Sequence, residues 1–256
     1  MTLNTETDNN YNNDIIAFLS WLLNTLKIFL TQKKYENIIE EYFQGVVQVE
    51  TYTYLKDEDA NKNLRPGESI VIVDGVNYIY TKKRIKFLYL TLDLPMVPLF
   101  KDSQEKITIP QVNIYELFKK YNGEKFTEDP TKGQRKKFKL LALPKYLILI
   151  FKRFENNSFF MEKNPTIVNF QLENLVLEEH GLSNLKNKKE KIYSLISNII
   201  HDGKPGDANF RVQIKNKERN EWFEIQDIHV QKILAESVAV CDSYIHFYEC
   251  KEIKNI

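Results

Sequence analysis

Four side chains could carry nucleophilic or acid–base chemistry here: Cys241, Cys250, His201 and His246. His201 closes an apolar stretch and is followed by Asp202-Gly203. At a strand-to-loop junction an imidazole titrating near neutrality can serve as a general base, or it can simply fix the loop. Cys241 shares a face of the expected last strand with Ile245 and Phe247, so it reads as a small core residue whose thiol stays protonated. Cys250 and His246 share the other face, but four residues of strand hold them roughly 13 Å apart, too far for a dyad. A metal centre has less support. There is no Cys-x-x-Cys pair, and the four His (180, 201, 229, 246) lack ligand spacing. The eight Gly form no phosphate loop, and Lys136-Lys137-Phe138-Lys139 reads as a solvated edge.

The elements that must position these groups follow from periodicity. Residues 1–13 are polar and Asn-rich, a disordered lead-in. From Asp14, with Asn13 or Asp14 as cap, Ile15, Phe18, Leu19, Leu22, Leu26 and Phe29 recur at helical spacing. Trp21, Leu23, Ile28 and Leu30 widen the apolar side until only Ser20, Asn24, Lys27 and Thr31 remain polar. A helix apolar on most sides needs cover on most sides. Residues 45–55 alternate as a strand, and Asp74-Gly75 marks a two-residue hairpin between 69–73 and 76–80. The pattern predicts one strand over 85–94, a short helix over 114–121 capped by Asn113, and a polar, basic loop over 124–139. Tyr146–Phe151 is an apolar run of the kind buried on both faces. Strands are expected near 166–170, 193–201, 210–214, 222–225 and 243–248, giving an α+β architecture with a largely antiparallel sheet.

Composition excludes several classes. The chain has 256 residues and 36 Lys plus Arg against 35 Asp plus Glu. A net charge of +1 gives no expectation of direct nucleic-acid binding through counterion release. No apolar run reaches the ~18–20 residues of a membrane span, and the N-terminus lacks the pattern of a secretory signal. Two Cys fit a reducing compartment.

From Leu143-Pro144-Lys145-Tyr146-Leu147 to Phe151-Lys152-Arg153-Phe154 the sequence resembles the ubiquitin-specific protease family, which has a Leu-Pro, an apolar strand and a Lys-Arg-Phe box at this spacing. Asp14 with Phe18-Leu19, Asn198 to Gly203, Trp222 to Asp227 and Ala239 to Tyr248 follow in the family's order. The runs Phe43-Gln44-Gly45, Lys163–Phe170 and His201-Asp202-Gly203-Lys204-Pro205 resemble its splicing-associated, peptidase-dead branch, a component of the tri-snRNP.

The resemblance implies a papain-like ubiquitin-specific protease fold: palm and fingers sheets with only the last part of the helical thumb. Residues 14–250 would form that truncated domain, and 251–256 a tail. It also implies degenerate catalytic positions. Asn209 stands where active members carry the general base, and Gln226 where an acid orients it. An amide cannot take a proton from a thiol at neutral pH. His201 matches the non-catalytic His of the turn. The Cys box and the zinc-binding Cys pairs of the fingers have no counterpart here, so no metal and no cofactor are expected. The function so implied is a non-enzymatic protein-interaction domain in the nucleus, supporting pre-mRNA splicing through spliceosomal snRNP proteins. Ubiquitin binding would be weaker than ~100 μM. The alternatives are a thiol-dependent deubiquitinase using Cys241 or Cys250 with His201, or an inactive ubiquitin-binding module. The over-apolar N-terminal helix implies a fragment, an incomplete gene model, or a protein completed by a partner. Alone, the chain should aggregate or dimerise.

Overall fold

In the computed structural model the residues described are 15–33, 35, 37–55, 64–96, 109–156, 161–177, 191–204 and 207–251. The lead-in and its cap residues, His180, and almost all of the tail lie outside them. The first half of the chain gives α1 (Ile15–Gln32), α2 (Ile38–Phe43), β1 (Gly45–Tyr54), β2 (Glu68–Val73), β3 (Val76–Phe87), β4 (Leu90–Asp93), β5 (Gln111–Asn113), α3 (Ile114–Phe118), β6 (Asn122–Asp129) and β7 (Gln134–Ala142). The second gives β8 (Tyr146–Lys152), β9 (Phe154–Asn156), β10 (Met161–Lys163), β11 (Ile167–Asn169), β12 (Leu175–Val176), β13 (Ile192–Lys204), β14 (Asp207–Asn216), β15 (Glu221–Gln226), β16 (His229–Ile233), α4 (Ala235–Ala239) and β17 (Ser243–Lys251).

Two sheets organise the molecule. One has five antiparallel strands in the order β2-β3-β1-β7-β6; the other has eight, running β16-β15-β14-β13-β17-β8-β4 with β12 beside β13. The hairpin at Asp74-Gly75 forms as its sequence requires, with φ of 53° and 78°. Gly45 opens β1 opposite Phe87, and a Cβ there would sit 2.2 Å from the Phe87 ring, so only glycine fits. Asn113 caps α3 by accepting from the Tyr115 amide at 3.0 Å.

Strand β8 lies inside the large sheet, between β17 and β4. Leu147, Leu149 and Phe151 join one buried cluster with Val47, Phe87, Ile114 and Trp222, while Ile148 and Ile150 join another with Leu23, Ile39 and Ile245. Both faces of this strand are therefore dry, as its unbroken apolar run indicated. Truncating one such side chain, Leu149→Ala, should cost about 2–5 kcal/mol.

Three expectations need correction. Residues 124–139 are not a loop but most of the β6–β7 hairpin, in which the Arg135 guanidinium and the Lys137 ammonium pack on the Phe126 ring. The strand expected over 85–94 breaks at Leu88-Tyr89, which lets β4 turn and pair parallel to β8. Cys241 precedes β17 and sits in the turn after α4.

Helix α1 has 18 residues and a mean hydropathy of 1.4, so by length and composition it could cross a membrane, contrary to the expectation from the sequence. Its contacts are those of a surface helix. Leu23 is buried with Ile15, Ile16, Leu19 and Leu30 against the second cluster, and Lys27 pairs with Glu40 of α2 at 2.7 Å. The opposite side exposes Phe18, Trp21, Ile28 and Phe29, with Trp21 60% accessible. That is the uncovered apolar side the sequence pointed to.

Candidate functional site

The alternation of β14 and β15 brings Asn209 and Gln226 onto one face of the large sheet. Asn209 is exposed and pairs across the ladder with Asp202 of β13. Gln226 ends β15, exposed, one step beyond the Val212–Ile225 pair and therefore beside Arg211. Arg211 occupies the space between them. Its guanidinium donates from Nε and Nη2 to the two oxygens of Asp202, and from Nη1 to Glu224 Oε2 at 2.8 Å. Gln213 and Gln231 donate to the same Glu224 carboxylate at 2.9 and 3.0 Å. The Arg211 hydrogen bond holds the Asp202 carboxyl below its usual range. Burial would raise Glu224, but its hydrogen bonds and Arg211 outweigh that and keep it ionised. Asn209 and Gln226 add two neutral amides to this ion-paired ribbon, and neither can act as a proton acceptor near pH 7.

The thiols lie apart from every histidine considered for them. Cys241 Sγ is 3.0 Å from the donating Asn198 Nδ2 and 3.1 Å from the Val238 carbonyl. Burial pushes this thiol up, only partly offset by hydrogen bonds from Ser243 and Asn198, so it remains protonated at neutral pH. Asn198 and Gln213, which surround Cys241, project from one side of the sheet. His201 projects from the other, against the rings of Phe154 (4.6 Å), Phe210 (5.2 Å) and Tyr244 (5.8 Å). The sheet itself separates the pair. Cys250 and His246 share a face of β17 with Tyr248 between them. His246 is wholly buried among Phe151, Phe170 and Tyr248, and burial, with Arg153 nearby, drives its pKa to about 3. Among the described residues no group of three His, Cys, Asp or Glu side chains could hold a metal.

Sequence reasoning gave Arg153 no role beyond a motif position, yet it ties the site's support together. It is fully buried and donates to three carbonyls: Ser243 at 2.5 Å, Asn164 at 2.9 Å and Thr166 at 2.8 Å. Asn164 in turn donates to the Pro95 carbonyl at 2.9 Å and accepts from the Thr166 amide at 3.0 Å. Lys163 reaches the His201 carbonyl at 2.7 Å and Asp242 at 3.1 Å. The Lys-Arg-Phe box and the Lys163–Phe170 run thus meet in space, stapling β8 to β11 and β17. The available signal was an Arg one residue beyond the end of an apolar strand that closes on Lys152.

The chain matches the family described as Ubiquitin carboxyl-terminal hydrolase over residues 2–248. It is 37% identical over 244 residues to Ubiquitin carboxyl-terminal hydrolase 39 of Homo sapiens, covering 93% of this chain and 42% of that one. It is 36% identical over 252 residues to the Probable mRNA-splicing protein ubp10 of Schizosaccharomyces pombe, covering 94% and 48%. The chain thus spans less than half the length of these curated relatives. Among solved structures it resembles an essential yeast splicing factor, with TM-score 0.62 and 24% identity over 95% of this chain and 50% of that one. It also resembles the SAGA Ubp8/Sgf11/Sus1/Sgf73 DUB module bound to ubiquitin aldehyde, with TM-score 0.63 and 18% identity over 93% and 49%. Those likenesses bear on the fold, and they agree with the papain-like arrangement that the sequence motifs implied. On the match over residues 2–248 and the relatives above 35% identity, the chain belongs to the ubiquitin carboxyl-terminal hydrolase family.

Proposed function

We propose that residues 14–250 form a non-enzymatic interaction domain of this family, one that supports pre-mRNA splicing in the nucleus by contacting spliceosomal snRNP proteins. Asn209 and Gln226 are then degenerate counterparts of a catalytic base and its orienting acid. The observation that carries the reading is the exposed Asn209 beside an Arg211 already held by two carboxylates. At those two positions an amide offers neither a proton acceptor nor a charge to hold an imidazolium. The relatives whose names include mRNA splicing support the cellular role. Ubiquitin is bound weakly, with Kd above about 100 μM.

Tagged chain incubated in nuclear extract should recover snRNP proteins, and a titration with ubiquitin should show no saturation below that concentration. Recovery of no snRNP protein would remove the splicing role. Low-micromolar ubiquitin binding would turn the reading toward a ubiquitin-recognition module.

A further inference from the structure

The near-zero net charge hides a segregation in the five-stranded sheet. Its register places Lys82, Arg84 and Lys86 of β3 on the same face as Arg135, Lys137 and Lys139 of β7, with β1 between them. Cross-strand pairs on that face carry two carboxylates, Glu50 and Glu128. The opposite face of the same two strands has only Lys83 and Lys136. Glu50 is taken up by Lys82, Gln48 and Tyr52, and Glu128 by Arg135. Among the described residues, Arg84, Lys137 and Lys139 have no carboxylate within ion-pair distance.

Aromatic rings are interleaved with these cations. Tyr52 packs against Tyr80 at 5.1 Å and Phe126 at 5.2 Å, and Tyr54 lies exposed beside Tyr78. The Arg135 guanidinium sits 4.0 Å from the Phe126 ring centroid and the Lys137 ammonium 4.2 Å from it. A purely solvated charged face needs no rings. A face meant for a protein's apolar surface would not carry six cations. Strand-borne aromatics beside unneutralised Lys and Arg are the chemistry that stacks bases and neutralises phosphates.

We propose that this face of the β2-β3-β1-β7-β6 sheet binds single-stranded nucleic acid, the phosphates lying along Arg84, Lys137 and Lys139 and a base stacking on Tyr54. The inference goes beyond the protein-contact role above and stands separately from it. Charge averaged over the whole chain concealed it, because the carboxylates that meet this face pair with Lys82, Lys86 and Arg135 and leave Arg84, Lys137 and Lys139 to it.

The test is fluorescence anisotropy of the full chain with a 12-nucleotide single-stranded RNA, the same sequence as DNA, and the RNA as a duplex. Single strands should bind with Kd of about 1–10 μM in 50 mM salt, with a log–log salt slope of about −2 to −3. The ratio of the RNA and DNA affinities identifies which strand the face prefers. Arg84→Glu should weaken binding about tenfold and Tyr54→Ala about fivefold, while Lys83→Glu changes it less than twofold. Lys83 and Arg84 are adjacent, both exposed and on the same strand, so only the face differs between these variants. Four results overturn the proposal: no binding, equal loss in Lys83→Glu and Arg84→Glu, binding of the duplex alone, or displacement by polyglutamate of equal charge as readily as by unlabelled RNA. The last would assign the face to an acidic polypeptide instead.

Discussion

Arg153 and Arg211 are set in the same large sheet and do opposite things. Arg153 is sealed from water and spends its charge on three neutral carbonyls. Arg211 is half-exposed and held between Asp202 and Glu224, which solvent could serve almost as well. The first arginine is a structural clamp whose worth comes from desolvation. The second fills the place beside Asn209 and Gln226 with a closed set of ion pairs. Polar residues in this sheet therefore divide into those that hold strands together from within and those that form ion pairs at its surface.

The contrast can be broken most severely at the clamp. Arg153→Met should destabilise the fold by about 3–5 kcal/mol in urea unfolding, because three buried carbonyls lose their donor. Arg153→Lys should recover little, since an ammonium cannot span that fork. A loss below about 1 kcal/mol would mean that water or rearrangement satisfies those carbonyls.

The next effect is in pH. His246 titrates near 6.5 when unfolded and at about 3 when folded, so in that window the unfolded chain binds the extra proton. Stability is then intact above pH 6.5 and falls as pH drops, by up to about 1.4 kcal/mol per unit. His246→Phe, placed among Phe151, Phe170 and Tyr248, should abolish that slope between pH 6.5 and 5, as read by denaturant midpoints. An unchanged slope would place the titrating group elsewhere.

Arg211→Met belongs at the small end. Its ion pairs are partly exposed and screened, so the loss should be about 1 kcal/mol or less. Smallest of all is Asn209→His, which should alter stability by no more than about 0.5 kcal/mol. An imidazole placed there should yield no ubiquitin hydrolysis, because neither Cys241 nor Cys250 is placed to use it. Hydrolysis on that single change would contradict the reading of the site.

The sequence made some of this visible and hid the rest for identifiable reasons. Tyr146–Phe151 announced a strand dry on both faces, Asp74-Gly75 a two-residue turn and Asn113 a cap, since each depends on local chemistry alone. The β6–β7 hairpin was hidden because its alternating residues are Lys and Arg, which read as polar although the heads of Arg135 and Lys137 pack on the Phe126 ring. The Arg153 clamp was hidden because its acceptors are carbonyls from 11, 13 and 90 residues away in sequence. Cys241 was placed on a strand because nothing in its neighbours marks the short α4 that ends just before it. Asn209 and Gln226 were legible only through motif resemblance, as two amides on strand edges carry no signal of their own.

The most direct measurement is incubation of the purified chain with ubiquitin bearing a C-terminal electrophile, followed by intact mass. No adduct should form with either cysteine, given a protonated Cys241 cut off from His201 by the sheet and a Cys250 distant from a neutral His246. A stoichiometric adduct that disappears in Cys241→Ser or Cys250→Ser would show a working thiolate in this domain and contradict the account.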